Sequence, residues 1–278
     1  MLTTVDHRRD SAGLVYVYPV ISRRAGGVSI GINLNPNNAC NWACVYCQVE
    51  NLTRGGPPAI DLDRLEKELS GFLEEALHGD FMQRQVPPEA RRLMDVAFSG
   101  NGEPTSTPEF ADAVACVDAV LERFGQKGKL MVRLITNGSL MHRPAVQSGI
   151  QRLSNLGGEV WFKIDRALAD DIAEINGVPG QPQKMLKNLK ICASLAPTWV
   201  QTCWFALDGV APSAESRGAY CRLLRPLADK LAGIHLYGLA RPSMQPAALR
   251  LSAVTAQYLT DFAEQIKKET GIQVVVSP

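Results

Sequence analysis

Six apolar runs, each closed by glycine or polar residues, restrict this chain to a narrow set of folds. They are residues 28–34 (VSIGINL), 95–99 (DVAFS), 130–135 (LMVRLI), 160–164 (VWFKI), 199–207 (WVQTCWFAL) and 233–239 (GIHLYGL). Short, continuous apolar runs with helix-length stretches between them read as buried parallel strands in βα units. The intervening helices are legible. Leu62, Leu65, Leu69, Phe72, Leu73 and Leu77 form one stripe behind Asp61, an N-cap after the Pro57-Pro58 break. Ala113, Val114, Val117, Val120, Leu121 and Phe124 form another, with Pro108 expected in its first turn. A helix near 254–270 and a strand over 272–276 close the chain. The pattern predicts an α/β fold in which a parallel barrel places its active loops at the C-terminal ends of the strands.

The loop after the first run carries Cys40-Asn-Trp-Ala-Cys44-Val-Tyr-Cys47, three thiols within eight residues. A C-x3-C-x2-C spacing can wrap an iron–sulfur cubane, each thiolate taking one iron and the fourth iron staying open to a small molecule. A structural zinc site needs a fourth ligand. Asn41, Gln48 and Glu50 are poor soft ligands, and the nearest histidines, His7 and His78, are far away in sequence. The second run leads into Gly100-Asn101-Gly102-Glu103-Pro104, which a barrel would set beside the cysteine loop.

The bulk properties exclude more than they propose. With a formal net charge of +1, no global field recruits nucleic acid or an acidic membrane. The basic pairs Arg8-Arg9, Arg23-Arg24, Arg91-Arg92 and Lys267-Lys268 read as solvated faces. The N-terminal MLTTVDHRRDSAG lacks the apolar core of a signal peptide, and no run reaches membrane-spanning length. Seven cysteines, three of them in one loop, are unlike a disulfide framework and point to a reducing cytoplasm.

The cysteine motif and the Gly-Glu-Pro turn together resemble the radical S-adenosylmethionine (SAM) superfamily. The phrases SRRAGGVSIGINLNPNNACNWACVYCQ, FSGNGEPT, LITNGS and GLARPS are similar to the subgroup related to the radical enzymes of tRNA wybutosine synthesis. The resemblance implies one domain over residues 1–278: a partial (β/α)6 barrel core over about 26–242 and a C-terminal extension over about 243–278 with a helix and a strand. It implies a [4Fe–4S] cluster on Cys40, Cys44 and Cys47, and reductive cleavage of SAM to methionine and a 5′-deoxyadenosyl radical that abstracts hydrogen from a substrate. By position, Tyr46 matches the aromatic residue beside the adenine. Gly100, Gly102 and Glu103 match the turn that meets SAM's amino group, although the usual Gly-Gly-Glu-Pro here reads Gly-Asn-Gly-Glu-Pro, with Asn101 as a variant. Thr136 and Asn137 are placed for the ribose or carboxylate, Lys163 for the carboxylate of SAM or of substrate, and Gln201 and Leu239 for the cofactor. Implied partners are SAM and an external one-electron reductant, flavodoxin- or ferredoxin-like. The wybutosine enzymes carry further cysteines ahead of the radical motif, and none precedes Cys40 here.

Plainer readings stand beside these. Thr136-Asn137-Gly138 is also ordinary turn chemistry. Lys163 in an apolar strand needs a partner if it is buried, and pairing with Asp165 is not expected. Cys116 and Cys192 read as small core residues, whereas Cys203 and Cys221 are open, and Arg241-Pro242 serves an anionic substrate or closes a loop. The substrate is not named by the residues. Modification of tRNA or another RNA, and activation of a partner protein as a glycyl radical, remain as alternatives to a small-molecule reaction.

Overall fold

The structure, a computed structural model, describes residues 2–3, 13–22 and 26–277. His7 and the Arg8-Arg9 and Arg23-Arg24 pairs lie outside these residues. The chain begins with β1 (Val17–Ser22), β2 (Gly27–Ile32) and two short strands, β3 (Ala39–Cys40) and β4 (Thr53–Arg54). There follow α1 (Leu62–Leu77), α2 (Phe81–Gln85), β5 (Leu93–Phe98), α3 (Phe110–Arg123), β6 (Met131–Thr136), α4 (Pro144–Asn155) and β7 (Glu159–Lys163). Next come α5 (Ala169–Asn176), α6 (Pro182–Leu195), β8 (Thr198–Cys203), β9 (Phe205–Leu207) and α7 (Ala214–Leu224). The chain ends with β10 (Gly233–Tyr237), β11 (Leu251–Ala253), α8 (Ala256–Thr270) and β12 (Val274–Ser277). Among the described residues no helix is long and apolar enough to cross a membrane.

Packing divides the chain into two units. The first comprises the residues up to Asn41, Gly55–Ile135 and Arg143–Glu159. In it β2 runs parallel to β5 and β5 to β6, while β1 pairs antiparallel with β2. The sequence reading gave no strand at β1. Pro19, which cannot donate to a ladder, suits the edge position that the strand takes. Asp61 caps α1 as expected, accepting from the Arg64 N–H at 2.9 Å. Helix α3 starts at Phe110 after Glu109, so Pro108 precedes the helix instead of opening it.

The second unit comprises Trp42–Arg54, Thr136–His142 and the chain from Val160 onward. Here β7, β8, β10 and β12 run parallel in that order. The long run 199–207 is not one strand. At Trp204 the chain leaves the parallel ladder, its N–H donating to the Tyr237 carbonyl at 2.8 Å, and β9 pairs antiparallel with β11 instead. The buried Trp204 indole packs on Phe262 at 4.4 Å and Tyr220 at 5.8 Å, which holds the break in place.

Register then fixes which residues share a face of this sheet. Trp161 lies beside Trp199, Gln201 lies between Lys163 and His235, and Cys203 lies beside Tyr237. The His235 ring stacks on Trp199 at 4.5 Å and lies 4.7 Å from Trp161, forming an aromatic floor toward the strand N-termini. Lys163 and Gln201 come next, and Cys203 and Tyr237 lie toward the C-terminal ends.

Candidate active site

In the first unit the loop after β5 is fastened to the segment that follows β2. The Asn33 side-chain oxygen accepts from the Asn101 N–H at 3.0 Å, and the Asn101 amide donates to Asn38 Oδ1 at 2.7 Å. Asn101, the departure from the usual motif, therefore ties its loop to the residues just before Cys40. Asn35 donates to the Ala39 carbonyl at 3.0 Å and to Ser106 Oγ at 3.3 Å. Gly100 backs onto Asn33. Gly102 is required by space, since a Cβ there would stand 2.2 Å from the Ala39 carbonyl oxygen. Glu103 is buried, and its Oε1 accepts from the Thr105 hydroxyl at 2.6 Å and the Thr105 N–H at 3.2 Å. The asparagines were missed as site residues, although four of them among residues 33–38 are a visible signal.

In the second unit the cysteine loop is anchored through its backbone. The Ala43 N–H donates to the Asn176 carbonyl at 3.1 Å and the Val45 N–H to the Ile175 carbonyl at 2.9 Å, both at the end of α5. On its other side, Ser243 Oγ donates to the Val45 carbonyl at 2.6 Å and the Met244 N–H to the Cys47 carbonyl at 2.9 Å. The Gln245 amide donates to the Val49 carbonyl at 2.7 Å, and Arg241 reaches Gln48 at 3.3 Å. Arg241 thus helps to close the loop, one of its two expected roles.

Asp165, which follows β7, is the hub of this unit. Its Oδ2 accepts from the Tyr46 hydroxyl at 2.5 Å and the Asn176 amide at 2.9 Å, and its Oδ1 accepts from the Cys203 N–H at 2.9 Å. The same Asn176 amide donates to Cys44 Sγ at 3.4 Å. Tyr46, Ile175, Cys203 and Phe205 form a buried cluster, with Leu239, Tyr237 and Cys44 packed against it. Burial, and then the Asp165 charge, hold the Tyr46 hydroxyl well above its ordinary range, so it stays a donor. Beside Asp165 the buried Arg166 guanidinium lies 4.3 Å from the Trp204 ring and donates to the Asp165, Cys203 and Phe205 carbonyls. The sequence reading named neither Asp165 nor Asn176 as a site residue. Only the polar stop after an apolar strand marked Asp165.

Lys163 Nζ stands 4.9 Å from the centroid of the Tyr46 ring. It has no ion pair or hydrogen bond among the described residues, and the Asp165 carboxylate bonds Tyr46, Asn176 and the Cys203 N–H. Burial acts to lower its pKa, while neighbouring Tyr237, Asp165, Cys44 and Cys203 act to raise it, and the net direction is upward. Gln201, its register neighbour, is 7% exposed and has a side-chain carbonyl oxygen with no partner among the described residues. Thr136 and Asn137 lie at a tight turn, where their side-chain oxygens accept from the Gly138 and Ser139 N–H groups, each at 3.0 Å. Gly138 has φ +69°, and a Cβ there would overlap Phe162 at 1.9 Å. Asn188 on α6 fastens the turn through the Gly138 carbonyl at 2.8 Å. Cys192 and Cys221 are buried on α6 and α7, and Cys116 is half-buried on α3.

Among the described residues no three His, Cys, Asp or Glu side chains are placed to hold a single metal ion. A cubane asks for something different, one soft thiolate per iron from three cysteines. Cys40, Cys44 and Cys47 are free thiols, each partly exposed, and are the soft donors that this loop offers. Burial pushes the Cys44 thiol up to about 12 against the lowering effect of Lys163, so a bound cation is what would make it a thiolate.

No family model matches the chain. A curated relative, GTPase Obg of Brachyspira hyodysenteriae, is 26% identical over 135 residues, which are 48% of this chain and 17% of that protein. The chain thus spans less than a fifth of that relative's length. Among solved structures, a radical SAM methyltransferase from Sphaerobacter thermophilus aligns with a TM-score of 0.59 at 16% identity, covering 94% of this chain and 68% of that one. SuiB of Streptococcus suis bound to S-adenosylmethionine aligns at 0.54 and 10% identity, over 91% of this chain and 47% of that one. The anSMEcpe protein with bound AdoMet aligns at 0.53 and 15% identity, over 89% and 63%. At these identities the likeness is one of fold: this chain has the mixed α/β architecture with largely parallel strands that the solved radical SAM enzymes share.

Proposed function

We propose that the protein is a radical SAM enzyme. The observation that carries this reading is the Cys40-x3-Cys44-x2-Cys47 spacing on a loop after a parallel strand, in a chain with the fold of SAM-bound radical enzymes. Cys40, Cys44 and Cys47 would hold a [4Fe–4S] cluster. When bound, that cluster supplies the electron that cleaves the sulfonium C–S bond of SAM. The GTPase likeness brings no phosphate loop, since the chain has no Gly-x4-Gly-Lys-Ser/Thr run.

The chain's own residues bind and orient. Glu103, set by Thr105, offers a carboxylate oxygen to SAM's ammonium through a charge-assisted hydrogen bond. Tyr46, fixed by Asp165, presents an aromatic face for the adenine, with Leu239 beside it. Lys163 holds a carboxylate, SAM's or the substrate's, because a largely desolvated ammonium needs an anion. Gln201 offers its unpartnered carbonyl to an N–H or O–H on the same molecule. Thr136 and Asn137 shape the turn that borders the ribose. The aromatic floor of Trp161, His235 and Trp199 excludes water from below. An external one-electron reductant, flavodoxin- or ferredoxin-like, and a cytoplasmic setting complete the proposal. The phrases FSGNGEPT and GLARPS support a place near the wybutosine-type enzymes, with RNA as one substrate class.

Anaerobic reconstitution tests the reading. About four irons and four sulfides per chain are expected, with slow 5′-deoxyadenosine formation from SAM and dithionite. Cys44→Ala should abolish both. A variant lacking Cys40, Cys44 and Cys47 that retains the full iron and activity would end it.

A further inference from the structure

Asn176 is the last residue of α5 and is fully buried. Its amide is held in one orientation, because only the NH2 end can donate both to the Asp165 carboxylate at 2.9 Å and to Cys44 Sγ at 3.4 Å. The other end, Oδ1, is left buried with no partner among the described residues. An unsatisfied buried acceptor is destabilising. A residue serving only to end the helix would not need that arrangement, since the backbone carbonyl of Asn176 alone receives the Ala43 N–H. The unsatisfied oxygen follows from turning the NH2 end to Asp165, and in that orientation the same NH2 reaches the Cys44 sulfur.

Resting on the cluster reading, we infer that Asn176 tunes the reduction potential of the iron–sulfur centre through its hydrogen bond to Cys44 Sγ, and that Asp165 is the positioning residue that sets the amide. One-electron reduction adds negative charge that is shared with the ligating sulfurs. A donor on one sulfur favours the reduced state and raises the potential. Asp165 couples this to the rest of the site. The same Oδ2 that orients Asn176 accepts from Tyr46, so the donor at sulfur and the aromatic face of the loop share one anchor.

The test is a dye-mediated anaerobic redox titration of reconstituted wild-type protein, Asn176→Leu and Asn176→Asp. The control is Asn188→Leu, which removes a buried amide of the same unit that binds only turn carbonyls. Both Asn176 variants should shift the reduced-to-oxidised ratio at fixed potential about tenfold toward oxidised, which is 59 mV downward for a one-electron couple. Iron content should be unchanged, and Asn188→Leu should match wild type. Asn176 variants that load iron and titrate with wild-type protein would overturn the inference while leaving the cluster reading intact. If neither variant loads iron while Asn188→Leu does, Asn176 is a structural residue and the tuning role falls. Wild-type protein that takes up no iron or sulfide would bring down both readings, and the iron assay separates that outcome from the others.

Discussion

Two strands of this molecule carry a cation in a largely covered position, and the protein treats them differently. Arg133 on β6 is held between two carboxylates of its own unit, contacting Asp95 and bonding Glu159 at 2.6 Å. Asp95 also accepts from Ser29, so the whole group is closed within the fold. Lys163 on β7 has no such anion among the described residues, only the face of Tyr46 at 4.9 Å. A desolvated cation paired internally is part of the architecture. One left beside a ring, next to a Gln201 carbonyl with no partner among the described residues, is what the proposed site would need to receive an anion from a ligand. On this contrast Arg133 is a structural charge, and Lys163 is the working charge of the proposed site.

The largest effect that could break this contrast is at Lys163. Lys163→Met should abolish SAM-dependent turnover and change the melting temperature little, since the substitution keeps a similar volume and Lys163 makes no ion pair or hydrogen bond among the described residues. Product formation and thermal unfolding check this together. SAM affinity then sharpens the assignment: if it is lost, the anion is SAM's carboxylate, and if it is kept while product is lost, the anion belongs to the substrate. Wild-type turnover in Lys163→Met would sink the working role.

Arg133→Met should do the reverse. It leaves Asp95 and Glu159 facing each other in a mostly covered position, and breaking such a group by removing one partner costs about 3–5 kcal/mol. Burial already holds Asp95 above the ordinary carboxylate range against Arg133's lowering effect. Without Arg133 that pKa rises further. A group whose folded pKa is raised stabilises below its unfolded pKa and loses that contribution as pH rises, so the deficit should be greater at pH 8 than at pH 5. Denaturant melts at the two pH values decide it. A variant as stable as wild type at pH 8 would show that the ion group is not what secures β5 and β6.

The same distinction explains what the sequence could reveal. The strands that carry the site appear because each is a continuous apolar run with a polar stop, and Cys40, Cys44 and Cys47 appear because ligand spacing is local. The edge strand β1 stayed hidden, since its pairing with β2 depends on a neighbour and Pro19 argues against a strand. The break at Trp204 was equally invisible, because an apolar run does not show which ladder each half will join. Asp165 and Asn176 escaped for a related reason. Their meaning lies in contacts spanning 119 residues to Tyr46 and 132 to Cys44, which no local spacing encodes. Lys163 was legible as an anomaly, a cation in an apolar run, but its lack of a partner could be read only from the fold.

The smallest expected effect comes from an anion of the fully satisfied kind. Glu68 on α1 has a side chain only 7% exposed, and it accepts from the Tyr16 N–H at 2.8 Å, from the Val15 and Val17 N–H groups, and from Arg64 at 2.8 Å. Burial would raise its pKa, yet these donors together hold it below the ordinary carboxylate range. A carboxylate with a depressed folded pKa adds stability above its unfolded pKa, near 4.3. That stability disappears as pH falls through the folded value. Glu68→Gln should therefore cost about 1.5–3 kcal/mol at pH 7, the usual range for hydrogen bonds to a charged group, and much less at pH 3. Its stability curve should be flatter than wild type on the acid side, with SAM turnover unchanged at neutral pH. Parallel acid limbs for the two proteins would mean that Glu68 is not the titrating clamp of β1. A loss of turnover without a loss of stability would place this carboxylate with Lys163 among the working charges and erase the line drawn between the two kinds.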